Sequence, residues 1–352
     1  MGFRADWKAL VALFNFERNY GTNEAWSVIK NHAFKYTFHE TLTHENLTGE
    51  IFAVVVPNIL QVCWLCGATK GNDGDLTNCY TNIAPDAGWW ATMGRCLPWS
   101  VPPSYANLQC FDINMIMPDL LHAWNLGMAR DFLGSALKLI LQQRDIFTGP
   151  TLEARLLEAT HSLKMFAKQH GHPLRCKKFT KGKLCWKTRK YPSLGVSGYD
   201  AYVIALWLED VLSGHHQKYP EISSMLWLSN RAISLMYSQE SWFLSQQEKD
   251  TLEVLGFAFL KIYMSMAVTA LQQHKLLWKV RPKVHLLCHV FRSFRSCNPA
   301  RYSTWLDEDF LRKSGKTLGL TDSRGSHLRF LQRWLMALPG HFKKKLGVQT
   351  QS

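Results

Sequence analysis

Between positions 116 and 275 the apolar residues recur at helical spacing, whereas earlier in the chain they do not. This pattern predicts helices over about 119–143, 151–169, 200–212, 221–238 and 245–273. Pro118-Asp119 opens the first, with a carboxylate at the positive end of the helix. Thr151 is placed to cap the second, and Glu153 follows early in its first turn. Upstream, Ile51 to Val56 is a continuous, β-branched apolar run ended by Pro57-Asn58, which reads as a buried strand. Residues 67–110 are rich in Gly, Asn, Asp and Pro but hold Trp89, Trp90 and Trp99, so an irregular yet anchored loop region is expected. Trp7 to Phe16 carries an amphipathic helix signal. The run Val254 to Leu271 is the nearest approach to a membrane span, but Lys261 interrupts it, and a buried helix is the better reading.

Composition narrows the picture. The chain has 352 residues, 47% hydrophobic and 19% charged, which is the balance of a folded protein with room for two subdomains. A formal net charge of +14 favours a polyanionic partner, most simply DNA or RNA, with an acidic membrane surface second. Part of that charge is concentrated. Arg175, Lys177, Lys178, Lys181, Lys183, Lys187, Arg189 and Lys190 fall in sixteen residues with no acid among them. This tract is either a solvated loop or a phosphate-contacting one, in which Phe179 and Trp186 offer stacking faces. Cys176 and Cys185 within it could form a minor pair. A second basic stretch follows Lys275, and the run Lys343-Lys344-Lys345 suits nuclear import, phosphate contact or a solvated tail. Nine cysteines without a short-range framework, an odd number, fit a reducing compartment better than a disulfide scaffold. The first residues do not read as a signal peptide.

Two ligand pairs carry the chemistry. Cys63-Trp64-Leu65-Cys66 is a Cys-x2-Cys turn, and His285-Leu286-Leu287-Cys288-His289 places two imidazoles one helical turn apart. Zn²⁺ takes four S/N ligands in a tetrahedron, and each pair presents two ligands on one side. Joining them would staple an early segment to a late one. Asp307-Glu308-Asp309 follows the histidines closely, and carboxylates near metals suggest Mg²⁺- or Mn²⁺-dependent phosphoryl transfer. Blander readings stand beside these. The cysteines could be buried thiols, the histidines core or capping groups, and Glu308 part of a solvated turn. Asp119 could serve only as a helix N-terminal residue, with His122 as its core-facing partner rather than a ligand.

The tract from Arg281-Pro282-Lys283-Val284-His285 to His289, then Tyr302 to Phe310, resembles the C-terminal part of CACTA (En/Spm)-type DNA transposases. Pro118-Asp119-Leu120-Leu121-His122 is similar to a stretch of their Plavaka-type relatives. The resemblance covers roughly residues 49–340, with Cys-x2-Cys, Asp-x2-His and His-x3-His in the family's order. It implies a mainly α protein: an all-helical insertion and C-terminal helices packed on a partial RNase H-like α/β core. Residues 1–110 would be the partial core, 111–275 the insertion and 276–352 the last core segment with a basic tail. It further implies structural zinc on Cys63, Cys66, His285 and His289, an Asp-x2-His formed by Asp119 and His122, and Glu308 as the third catalytic carboxylate. Glu50 stands where the family has its second Asp, and the first would fall ahead of Met1. The expectation is an N-terminally truncated, decayed or domesticated, transposase-derived DNA-binding protein, nuclear with the cytoplasm second, outside membranes, with a homo-oligomer left open. Mg²⁺ or Mn²⁺ would enter only if it is catalytic, and strand transfer is not expected. The rival reading is a non-catalytic nucleic-acid-binding or protein-interaction module.

Overall fold

Helix-forming periodicity and well-placed caps account for the architecture. The computed structural model describes residues 62–71, 76–94, 116–187, 189–292 and 297–305, with Gln109 and Asp112. The strand expected at Ile51 to Val56, the helix at Trp7 to Phe16, Trp99, Glu50, the Asp307-Glu308-Asp309 cluster and the terminal lysines lie outside them. Residues 62–303 of the described set belong to one unit; Thr304 and Trp305 belong to a second.

The first unit is mainly helical. A π-helical segment, Leu121–Met128, runs directly into α1 (Ala129–Gln143). There follow α2 (Leu152–Gln169), α3 (Gly198–Leu212), α4 (Pro220–Ser238), α5 (Gln246–Gln272) and α6 (Pro282–Phe291). Among the described residues no strand forms, only isolated bridges between Thr69 and Cys79 and between Phe243 and Cys297. An RNase H-like sheet is therefore not seen among them.

Helices α2, α3 and α5 start where the sequence supplies a side-chain partner for the first orphan N–H groups. The Thr151 hydroxyl accepts from Ala154 N at 3.2 Å, and Ser197 accepts from Asp200 N at 3.1 Å. Ser245 and Glu248 form a reciprocal capping box at the head of α5. Pro220 and Pro282 open α4 and α6, where a missing N–H costs nothing. The first helix departs from the expected regular α-helix. Gly127, with φ −105° and ψ −105°, breaks helical geometry, and a Cβ there would collide with the His122 carbonyl and the buried Lys283 side chain. Glycine at this point lets Lys283 pass against the segment, and the turn widens to π geometry.

Aromatic side chains fill the centre. Phe259 of α5 meets Trp124 edge-on at 5.2 Å and Phe132 at 5.5 Å, all three buried, and burying one such ring contributes about 1.5–3 kcal/mol. The expectation of a buried helix over Val254 to Leu271 holds for one face only. Leu252, Gly256, Phe259, Leu260 and Tyr263 are buried, whereas Val254, Val268 and Leu271 are exposed. By length and composition α5 could cross a membrane, but its inner face is packed in the helical core.

α5 and α6 approach closely because residue 256 has no side chain. A Cβ at Gly256 would lie within the Phe291 ring. Gly256→Ala should therefore destabilise the protein by about 1–3 kcal/mol, as overpacking does, and Phe291→Leu should recover part of the loss. Urea denaturation of the single and double variants measures both; an unchanged midpoint for Gly256→Ala would refute the close-approach argument.

Candidate metal centre

The cysteine turn is built from backbone hydrogen bonds. Val62 N donates to Ala68 O at 2.7 Å and Gly94 N to Leu65 O at 2.8 Å, folding the chain back on itself. Leu65 N points at Cys63 Sγ at 3.4 Å, which suits a thiolate acceptor. Gly67 N donates to the Thr92 hydroxyl at 2.7 Å, tying the turn to a 3-10 turn at Gly88–Thr92 that carries Trp89 and Trp90. Trp64 anchors the outer side through its indole N–H on Ile116 O at 2.8 Å. The histidines stand one turn apart on α6, an i, i+4 pair on one helical face.

These two elements meet in the interior. Cys63, Cys66, His285 and His289 are all buried, and their donor atoms lie within 4.8 Å of one another. Cys66 Sγ is 3.2 Å from His285 Nε2 and 3.6 Å from His289 Nε2. Cys63 Sγ is 3.4 Å from His289 Nε2, and the two Nε2 atoms are 3.0 Å apart. For zinc bonded at about 2.3 Å to sulfur and about 2.05 Å to nitrogen, tetrahedral edges come to roughly 3.5 Å for S···N and roughly 3.3 Å for N···N. The four separations given above stand within about 0.4 Å of those edges. A complete Cys₂His₂ set with no open position is the donor set of a structural site.

Burial has divided the two thiols in acidity. It opposes ionisation of Cys63, but the hydrogen bond with Cys66 and the nearby His289 and His285 outweigh it, so this thiol ionises well below the ordinary range. Cys66 is pushed up by burial and then by the Cys63 thiolate. Burial lowers His285, which favours the neutral imidazole a metal requires. A divalent cation would cancel the repulsion between two thiolates and release the Cys66 proton.

The surrounding shell is aromatic. Trp89 meets His285 edge-on at 4.3 Å and His289 at 5.3 Å, and Trp90 meets His289 at 5.4 Å. Neither His285 Nδ1 nor His289 Nδ1 has a hydrogen-bond partner among the described residues. Ligand histidines ordinarily donate that N–H to an acceptor that fixes the ring. Here ring packing supplies the orientation instead. Arg292 covers Trp90 at 4.0 Å, and its Nε and Nη2 both reach the Glu253 carboxylate at 2.9 Å. At the other end of α6, Arg281 pairs with the buried Asp131 of α1. The tryptophans fall in a region whose aromatic anchoring the sequence announces, but their contact with the histidines has no sequence signature. The Asp131 partnership has none either.

Asp119 and His122 are a separate pair. The Asp119 carboxylate accepts from Leu121 N at 3.2 Å and His122 N at 3.1 Å, and it also bonds the His122 ring. Both residues are buried, and neither belongs to the metal group. Leu121 N also donates to the Ser303 hydroxyl at 3.2 Å. Glu308 and Glu50 lie outside the described residues.

The basic tract Arg175 to Lys190 forms an irregular loop after α2, and one expectation for it needs correcting. Phe179 is buried and stacked on Trp207 at 5.8 Å, so it offers no face to a base. Trp186 is half-buried, with the Lys138 ammonium 5.9 Å from its ring. Two cations turn to protein partners: Lys181 pairs with Glu153 at 2.6 Å, and Lys183 donates to Cys176 Sγ at 3.5 Å. Cys176 and Cys185 are not joined in a disulfide. Arg175, Lys177, Lys178, Lys187, Arg189 and Lys190 are exposed.

The purified chain should carry about one zinc ion, lost in Cys63→Ser and in His289→Asn, as counted by metal analysis. Trp89→Ala should weaken zinc binding about 10- to 100-fold while leaving all four ligands present, measured by competition with a chelator. Affinity should fall as the pH is lowered, because binding displaces a proton from Cys66. Folded protein that takes up no zinc, and no Co²⁺ with a tetrahedral spectrum, would contradict this centre. The assignment stands on geometry alone: no protein-family model matches the chain, and neither a curated protein nor a solved structure matches it significantly.

Proposed function

We propose that this protein is a transposase-derived DNA-binding protein, related to enzymes that cut and join DNA by two-metal phosphoryl transfer and inactive in strand transfer as it stands. The observation that carries this reading is the meeting of the Cys63/Cys66 turn with His285 and His289 in one buried tetrad. The resemblance to CACTA-type transposases implies that tetrad, and its two halves flank the helical region α1–α5 as they would flank a helical insertion. The Asp119–His122 pair at the head of that region adds support, since its Asp-x2-His belongs to the same motif order. In this reading the unit is grafted on an incomplete RNase H-like core.

Zinc held by the four ligands would be structural, joining the ends of the insertion and taking no part in a reaction. Catalysis would require Mg²⁺ or Mn²⁺ on carboxylates, of which Glu308 and Glu50 are the candidates. Glu50 carries one methylene more than the Asp of the family, and such sites tolerate displacements of only about 0.5 Å. DNA affinity would come from the net charge of +14 and the exposed cations of the basic loop. Nuclear localisation follows from the same reading.

Duplex DNA binding by the full chain, followed by fluorescence anisotropy, should be tight at low salt and unchanged in Glu308→Ala. No nicking of supercoiled DNA should appear with Mg²⁺ or Mn²⁺. Nicking that disappears in Glu308→Ala would replace this reading with that of an active enzyme, and absence of DNA binding would remove it.

A further inference from the structure

From Ala159 to Tyr199 the chain has ten Lys/Arg and no Asp or Glu, a longer acid-free stretch than the loop alone. Its first part is the C-terminal half of α2, whose outer face carries Lys164 and Lys168. Lys164 and Lys168, four residues apart on that helix, line a groove of about 430 Å³ together with His172 and Lys177 from the loop that follows. Lys164, Lys168 and Lys177 are exposed, and none has a side-chain hydrogen bond or ion pair among the described residues. Like charges four apart on a helix repel. An anion lying between them would relieve that repulsion.

The acids nearby are already engaged. Glu153 is held by Lys181 at 2.6 Å, and Glu158 accepts from Gly149 N at 3.2 Å. Asp200 is buried and accepts from Arg175 N at 2.9 Å. His172 is fixed at the groove wall by the Tyr199 hydroxyl at 3.0 Å. Proteins that hold single strands combine such cations with aromatic stacking platforms. Here one candidate platform, Phe179, is packed against Trp207, and the other, Trp186, is half-buried with Lys138 over its ring; neither lines the groove. A recess walled by a helix and a loop also suits a ridge of phosphates better than the plane of a membrane.

We propose that this groove seats the phosphate backbone of duplex DNA, with Lys164, Lys168 and Lys177 as its contacts. Lys181 and Lys183 of the same basic tract serve the fold instead. The groove reads no base, so binding there is independent of sequence. This rests on the DNA-binding reading above and assigns the surface that does it.

The test is anisotropy of the full chain on unrelated duplexes over a range of salt concentration. Replacing Lys164, Lys168 and Lys177 together by Gln should make the log–log salt slope shallower by about 0.9 for each phosphate no longer neutralised, hence by about 2 to 3 in all. Affinity at low salt should drop at least about tenfold, equally for every sequence, with the circular dichroism spectrum unchanged. Lys181→Gln should leave the slope as it is, and the single Lys164→Gln and Lys177→Gln variants should each shift it by about 0.9. Wild-type binding with an unaltered slope in the triple variant overturns the groove while sparing the DNA-binding reading. No binding by the wild type overturns that reading itself. Tighter binding of single strands, or of vesicles rich in acidic phospholipid, would also overturn the assignment to duplex DNA.

Discussion

The architecture turns on four buried donor atoms, contributed by segments 219 residues apart, occupying one small volume. Closing a loop of that length costs on the order of 5 kcal/mol in chain entropy. The tetrad without an ion adds to that cost, since burial raises Cys66 and lowers His285, and Cys63 is held as a thiolate against burial by Cys66, His289 and His285. A structural zinc ion contributes about 10–16 kcal/mol of apparent binding free energy, which exceeds the closure cost. The ion and the fold would then be one equilibrium rather than two.

The helix bearing the histidines is held at both ends as well as at its centre. Arg281 fixes its start on Asp131 of α1, and Arg292 fixes its finish on Glu253 of α5. These two pairs differ in kind. Asp131 is so buried that desolvation outweighs the guanidinium and raises its pKa above the ordinary value, so this pair positions more than it stabilises. Glu253 is partly exposed, and Arg292 gains most from lying over Trp90, where it seals the aromatic wall behind His289. Between the clamps, Gly256 admits Phe291, and the absence of one side chain sets the distance between α5 and α6. The ligand spacing thus follows from helix packing, not from hydrogen bonds to the imidazoles.

Much of this is legible in the sequence, and the part that is not has a common cause. Helix ends depend on neighbours within a few residues, so Thr151, Pro118-Asp119 and the run from Ser245 mark them well. The ligand pairs are equally local, which is why Cys63/Cys66 and His285/His289 stand out from spacing alone. What escapes depends on residues distant in sequence. Periodicity extends a regular helix through Gly127, but the turn there is π-helical, with Lys283 packed where a Cβ of residue 127 would stand. Composition offers Phe179 as an aromatic face, yet its ring is taken by Trp207. On α5, Val254, Val268 and Leu271 are exposed beside Lys261 and Ser265, so an apolar residue at helical spacing does not by itself mark the buried face.

If the tetrad holds an ion and the basic groove a polyanion, as proposed, burial keeps the two tasks apart. Ligands buried to near zero exposure cannot exchange with a substrate, so the tetrad can shape the protein but cannot touch a polyanion. Lysines in water can touch one, though salt screens them, and a rigid support sets the spacing at which they meet it. Here α2 is that rigid element: Thr151 caps it, and Leu156, Ala159, Leu163 and Ala167 bury its inner face, which leaves Lys164 and Lys168 directed outward. The loop carrying Lys177 is pinned to the same helix through Phe179 N on the Thr160 hydroxyl at 2.9 Å. The backbone positions bearing these cations therefore keep a fixed spacing through packing and hydrogen bonding alone.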